Sequence, residues 1–453
     1  MTVHEAAAPA PRGPLERFLS LFGEVRGGEG LNIVLLALNA FLLLTAYYLI
    51  KPIREALILG GVGPEIKSYT SAGQALLLLL LVPAYGRFAS RVGRMGLITW
   101  VTSFFILNLG LFYLLGRFTT LDLGIPFFIW VGIFNVMIIA QFWAFANDVY
   151  APEQGKRLFA LVAIGSSTGA IFGSWVAKPF IKALGIYSPM LVSGAVLAAC
   201  IVISRIVHVR AGAAHGVRGE ALSQDAPLGK EGGFQLVWKQ RYLLLIAFLI
   251  LLLNAVNTTG EYILGKTVAA AAAKALETAR TADPAAFRKE FIGLFYADFQ
   301  FWVNLCGALV QLFLVSRIMT RFGVRPALFV LPLIALGGYG LIATAPLLGL
   351  IAVIKGVKIA ENATDYSLNN TVRHALFLPT SREAKYKAKA AIDSFFWRMG
   401  DLASAALVFV GTRLRFGVPS FAWANFALTL LWLWIVIRVA REHRKVEGGT
   451  AGA

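Results

Sequence analysis

The chain has 453 residues, 58% of them hydrophobic and 15% charged, with a mean hydropathy of +0.71 and a formal net charge of +18. A soluble globular protein is nearer half apolar and about a quarter charged, so the composition argues against a soluble chain and for one that crosses a membrane many times. The basic excess belongs to the loops of such a protein, and no nucleic-acid partner is expected.

Residues 1–30 form a polar tail with no apolar leader. Apolar segments long enough to span then recur at 31–50, 68–85, 95–116, 123–146, 157–178 and 187–207. A polar, Gly-rich stretch at 209–240 reads as a linker. Six more segments follow at 241–264, 290–315, 326–345, 347–366, 388–411 and 417–437. The expected architecture is therefore an all-α membrane protein of twelve spans. It divides into a bundle at 31–208, a cytoplasmic linker at 209–240, a second bundle at 241–438 and a tail at 439–453. Placing both termini and the even-numbered loops on one side puts most Lys and Arg there. The positive-inside rule makes that side cytoplasmic and the protein a multi-pass protein of the cell (inner) membrane.

The halves carry a repeat. The loop after the second span, GRFASRVGR, and that after the eighth, SRIMTRFGVR, share Arg-x-x-x-Arg-x-Gly. The residues are Arg87, Arg91 and Gly93, then Arg317, Arg321 and Gly323. Basic loops at matching places in two six-span halves are what a duplicated transporter shows.

An ionisable side chain in mid-membrane costs roughly 2.5–3.5 kcal/mol on insertion scales and is a functional candidate for that reason. Five clusters qualify. Lys51, Arg54 and Glu55 end the first span, and Lys156 and Arg157 open the fifth. Glu261 and Lys266 lie in the seventh. Lys355, Lys358, Glu361 and Asp365 line the tenth, with 358, 361 and 365 on one face turned to the bundle interior. Lys385, Lys387, Lys389, Asp393, Arg398 and Asp401 lie at and within the eleventh. There Arg382, Lys385 and Lys389 share a helix face, and Lys389 can pair with Asp393. Lysines near a helix end also have the option of snorkelling to water. The run QFWAFANDVY (141–150) sets Asn147 among aromatics, a pattern that fits either stacking on a nucleobase or an interfacial belt, with spacing alone favouring the belt.

No GxxxxGK[ST] phosphate loop and no metal-ligand spacing is present. Neither cofactor, metal nor enzymatic activity is expected. The two cysteines, Cys200 and Cys306, lie in apolar runs.

The segments FWAFANDVYAPEQGKRLFALVAIGSSTGAIFGS (142–174) and ATDYSLNNTVRHALFLPTSREAKYKAKAAID (363–393) resemble the ATP/ADP translocase family of plastids and intracellular bacteria. The resemblance covers about 31–437 and implies a major-facilitator-like fold that exchanges ATP for ADP or takes up nucleotides. It implies substrate-binding roles for Arg54, Glu261, Lys385, Lys387 and Lys389, and for Ser167 at a small polar position of the fifth span. Where the family's exchangers carry a glutamate in the fourth span, this chain has Val131, which leaves room for another anionic substrate.

Taken with the clusters above, the expected substrate contacts are Lys51, Arg54, Asn147, Lys156, Arg157, Ser167, Glu261, Lys358, Lys385 and Lys389. Expected coupling or gating groups are Glu55, Glu361, Asp365, Asp393, Arg87, Arg91, Arg317 and Arg321. The expected ligand is a nucleotide or a similar anion, carried by a monomer in the bilayer. The competing readings are a proton-coupled carrier of another organic anion and a non-transporting receptor or scaffold.

Overall fold

The computed structural model describes residues 13–21, 24–89, 92–150, 152–214, 232–279, 281–344, 349–381 and 383–450. Regular structure among them is entirely helical. In chain order the first half contains α1 (Pro14–Leu19), α2 (Gly30–Gly61), α3 (Pro64–Ala89), α4 (Arg94–Phe118), α5 (Gly124–Val149), α6 (Pro152–Leu184) and α7 (Ser188–Ala214). The second contains α8 (Gly233–Lys239), α9 (Arg241–Thr278), α10 (Pro284–Val310), α11 (Ser316–Phe322), α12 (Val324–Thr344), α13 (Leu350–Thr364) and α14 (Asn370–Ala375). It closes with α15 (Lys389–Ala391), α16 (Trp397–Arg413) and α17 (Val418–Thr450).

Nine helices among the described residues are long and apolar enough to cross a bilayer, which makes this a multi-pass membrane protein. The other three expected spans are helical as well. α3 opens with the charged turn PEIK and continues into the apolar run ALLLLLLVPAY. The tenth and eleventh spans are cut by π-helical turns at Asp365–Asn369, Ala384–Ala388 and Ile392–Phe396, and a further such turn, Gln311–Val315, joins α10 to α11. Most of the linker, 215–231, lies outside the described residues.

Several helices outrun their apolar segments. α2 continues through Pro52 to Gly61, so Arg54 and Glu55 sit inside the helix and not beyond its end. A proline costs one backbone hydrogen bond, and membrane helices tolerate it where neighbouring groups satisfy the freed carbonyl. α3 begins at Pro64, whose missing N–H costs nothing in a first turn, and this draws Glu65 and Lys67 into the helix.

The chain divides into two compact units that do not follow the sequence halves. The first comprises 1–53, 86–121 and 130–223; the second comprises 54–85, 122–129 and 224–453. In the first, Gly165, Gly169 and Gly173 of α6 lie one turn apart against Ala37, Phe41 and Thr45 of α2. A Cβ at these glycines would stand 2.1, 2.2 and 2.6 Å from the facing carbonyl oxygens, so only glycine lets the backbones meet. Neutral hydrogen bonds hold α2 to both of its neighbours. Thr45 Oγ1 donates to Gly169 O of α6 at 3.3 Å, Asn39 Nδ2 to Ser204 Oγ of α7 at 2.7 Å and Ser193 Oγ of α7 to Ala46 O at 3.1 Å.

In the second unit α9 is the central post, packed against α10, α13, α16 and α17. Polar side chains tie it to its neighbours where lipid offers no hydrophobic incentive for helices to associate. Asn254 Nδ2 and Thr258 Oγ1 donate to Asp401 of α16 at 2.9 and 3.0 Å. Asn425 of α17 donates to Val256 O at 2.9 Å.

Candidate functional site

The densest set of membrane-buried charges lies in the second unit, on α2, α3, α9 and α13. Lys358 of α13 is 0% exposed. Its Nζ donates to Glu361 Oε2 at 2.9 Å and to Asn257 Oδ1 at 2.8 Å, and lies 3.5 Å from Glu261 Oε1. Tyr339 of α12 donates to Glu361 Oε2 at 2.8 Å, and Asn362 Nδ2 donates to Glu261 Oε1 at 3.0 Å. Gly260 makes room for this knot: a Cβ there would stand 2.0 Å from Tyr339 Oη and 2.9 Å from Lys358 Nζ.

A second knot forms at the end of α2. Glu55 is buried and takes Arg54 Nε at 3.0 Å on Oε1 and Lys67 Nζ at 2.6 Å on Oε2. Arg54 also lies 4.8 Å over the Phe128 ring, and Lys67 lies 5.6 Å over that of Tyr296. Lys67 is close enough to act electrostatically on Glu261 as well as Glu55. The two knots therefore form one alternating series: Arg54, Glu55, Lys67, Glu261, Lys358, Glu361. Three cations balance three carboxylates. Glu361 is almost wholly enclosed, whereas the Glu261 side chain is 27% exposed, so Glu261 is the most accessible carboxylate of the series.

A neutral, closed series has a chemical consequence. An anion placed beside Lys358 or Lys67 must displace a carboxylate from its cation, or arrive as a carboxylate takes up a proton. The weaker of the two Lys358 ion pairs, that with Glu261, is the one open to such displacement.

The remaining expected site residues are distributed as follows. Lys51, in the first unit, is buried with its Nζ 5.0 Å over the Tyr48 ring. The described partners of Glu55 are Arg54 and Lys67. Arg157 is held by the segment before α2, donating to Glu24 O and pairing with Glu29 at 3.1 Å. Burial opposes ionisation of Glu29, but donors from Arg26, Arg157 and Gln154 hold its carboxyl below the usual carboxylate range. Asn147 and Ser167 are exposed, and Val131 is buried. Phe142 and Phe145 are packed inside the first unit, and Trp143 meets Phe159 edge-on at 5.8 Å. The side chains of Lys156 and Arg87, and the whole of Arg91 and Arg382, fall outside the described residues. Arg317 and Arg321 are exposed on α11. Their repeat glycines differ in backbone: Gly323 takes φ +76°, which favours glycine, whereas Gly93 takes φ −60°.

On the tenth and eleventh spans the π turns reset the helical phase. Lys385 is exposed, and Lys387 and Lys389 are half-buried. Lys389 Nζ pairs with Asp393 Oδ2 at 2.9 Å, and Arg373, stacked 4.6 Å over Trp397, reaches Asp393 Oδ1 at 3.4 Å. Asp365 opens a π turn, is buried and accepts from Asn369 Nδ2 at 2.7 Å. No ion pair to Asp365 occurs among the described residues. Nor, among them, does any group of three His, Cys, Asp or Glu side chains stand ready to hold a metal.

Sequence reading missed Lys67, Asn257, Tyr339 and Asn362. Lys67 looked like a loop residue; Pro64 as a first-turn residue was the available signal. The other three are neutral, and only the packing of α9, α12 and α13 shows that they serve a charge.

No family profile matches the chain. It is 25% identical to ADP,ATP carrier protein 1 of Chlamydia trachomatis, over 66% of this chain and 61% of that protein. It is 24% identical to ADP,ATP carrier protein 4 of Rickettsia bellii, over 69% of this chain and 65% of that one. The match thus spans less than two thirds of either carrier. A third alignment, with ADP,ATP carrier protein 1 of Rickettsia bellii, covers 96% of both chains at 19% identity. Among solved structures, a bacterial homologue of the iron transporter ferroportin in its inward-facing state superposes with a TM-score of 0.60 at 15% identity, over 90% of this chain and 98% of that one. The nucleoside transporter NupG superposes with a TM-score of 0.56 at 11% identity, over 92% and 98%. These transporters share the fold. The chain is thus similar in sequence to bacterial ADP,ATP carrier proteins and in fold to major-facilitator-like transporters.

Proposed function

We propose that the protein is a secondary transporter of nucleotides working by alternating access, with both termini cytoplasmic in a cell (inner) membrane and acting as a monomer. The observation that carries this is the balanced series from Arg54 to Glu361. A scaffold gains nothing from six charges on membrane helices, four of them buried and each of those costing several kcal/mol to desolvate. A carrier gains a site whose cations are already placed and held by exchangeable partners. In the empty state Glu261 and Glu361 neutralise Lys358. A nucleotide's phosphate competes with Glu261 for that cation and releases the carboxylate. When the nucleotide leaves, Glu261 returns. Binding that differs between two conformations in this way biases the equilibrium between them.

Proteoliposomes loaded with unlabelled ADP and offered labelled ATP test this. Counterflow of ATP and ADP that is lost in Glu261→Gln and Lys67→Ala, with both variants still folded by size exclusion, is the expected result. Full counterflow in both variants removes the series from the substrate path, and absence of flux with every nucleotide removes the function.

A second reading has its own support. Asp365 is a buried carboxylate whose described partner is an amide, an arrangement suited to carrying a proton. On that reading the substrate is another organic anion, and uptake follows an inward proton gradient. Asp365→Asn would then abolish gradient-driven uptake and leave counterflow intact.

A further inference from the structure

Away from the buried series, the second unit carries a basic cleft of about 810 Å3 where the first turns of α9 and α12 meet the last turns of α17. Its cations are Arg241, Arg325, Arg438, Arg441, Arg444 and Lys445. Two carboxylates answer them. Glu442 lies 2.9 Å from Lys445 and 3.9 Å from Arg241, and Glu447 lies 3.3 Å from Arg325. Six cations against two anions leave an excess of four, and Arg441 and Arg444 are exposed.

The floor of the cleft is apolar, made by Pro326, Phe329 and Ile437. From Ile437 an exposed apolar face continues along α17 through Trp434, Leu431 and Leu430. Arg438 stacks 4.8 Å over the Trp434 ring. A tryptophan between an apolar face and a basic cluster is the arrangement found at the headgroup level of a bilayer. The walls are fixed to each other as well. Tyr242 of α9 donates to Leu376 O at 2.8 Å and lies 2.8 Å from His443 Nδ1 of α17.

We propose that this cleft is a binding site for an anionic phospholipid, its phosphodiester held by Arg325, Arg438 and Arg441 and its acyl chains lying along Trp434, Leu431 and Leu430. Guanidinium forks suit phosphate oxygens, and the juxtaposed apolar face is what distinguishes a lipid from a soluble phosphate. Free nucleotide has no use for that face. The proposal needs only the membrane-spanning fold and does not depend on what the protein transports.

Purified full-length protein in a neutral detergent is titrated with phosphatidylglycerol, phosphatidylcholine or glycerol 3-phosphate while its melting temperature is followed. Phosphatidylglycerol is expected to raise it, and the other two are not. Arg441→Gln, at an exposed side chain that the fold does not need, is expected to weaken the phosphatidylglycerol response about fivefold in concentration. Arg325→Gln/Arg438→Gln/Arg441→Gln is expected to remove it. Native mass spectrometry of the same samples reads bound lipid directly and does not depend on the variants' own stability. Equal stabilisation by phosphatidylcholine, an unchanged response in the triple variant, or an equal response to glycerol 3-phosphate overturns the lipid site. The last outcome would assign the cleft to a soluble anion.

Discussion

The two compact units solve the same problem by opposite means. In the first, α2 and α6 meet backbone to backbone at three glycines, and the side-chain hydrogen bonds that tie α2 to α6 and α7 are neutral. In the second, α9 is tied to α3 and α13 through ions and to α16 through amides and hydroxyls. A glycine seam has one good arrangement, because any separation loses dispersion contacts with nothing to replace them. An ion network has several, since each carboxylate can change cation or take a proton. The part of the molecule able to re-pair is therefore the second unit.

The largest effect should come from Lys358→Ala. It leaves Glu361 enclosed without its cation, and breaking a buried pair in this way costs about 3–5 kcal/mol. A fall in melting temperature that is largely restored by adding Glu361→Gln would show that the loss is electrostatic; an unrestored fall would make Lys358 a packing residue. Next is Gly169→Leu, which forces side-chain atoms into the Phe41 carbonyl and should cost about 3 kcal/mol. If the first unit is held by its glycine seam, no second substitution at a charged residue will rescue it. Glu261→Gln is milder for the fold, about 1 kcal/mol, because Lys358 keeps Glu361 and Asn257 and the amide can still hydrogen-bond. Its effect belongs to counterflow, where it should be severe. Smallest for stability is Lys389→Ala. That lysine is only partly buried in its pair with Asp393, and such pairs contribute about 0–1 kcal/mol. A raised half-saturating concentration for an anionic substrate, at unchanged melting temperature, would place Lys389 on the substrate's route; no change in either removes it.

The membrane class and the course of the helices were legible from apolar runs, because twenty consecutive apolar residues leave few alternatives. The charges on α9 and α13 were legible for the same reason, being costly departures from that pattern. Their partners were not. Glu55 is paired with its neighbour Arg54 and with Lys67 of another helix. Local spacing ranks partners within one helix and carries no information about the next one. The glycine spacing 165, 169, 173 was a usable signal that went unread behind the polar GSSTG around Ser167. Units that split α2 between residues 53 and 54 had no sequence signature, since linker composition speaks only of the chain's halves.

The π turns carry a practical consequence for anyone moving residues between this chain and its relatives. Each accommodates one residue more than the α-helical turn it replaces, and one residue is about 100° of rotation. Between Ser381 and Trp397 two such turns lie in series. A helical wheel drawn on the first cations of that stretch is therefore more than half a revolution out by the time it reaches Arg398. Matching this span to a straight helix elsewhere aligns letters while turning side chains to the wrong neighbours, so equivalence there has to be judged by contacts, with the wheel restarted after each turn.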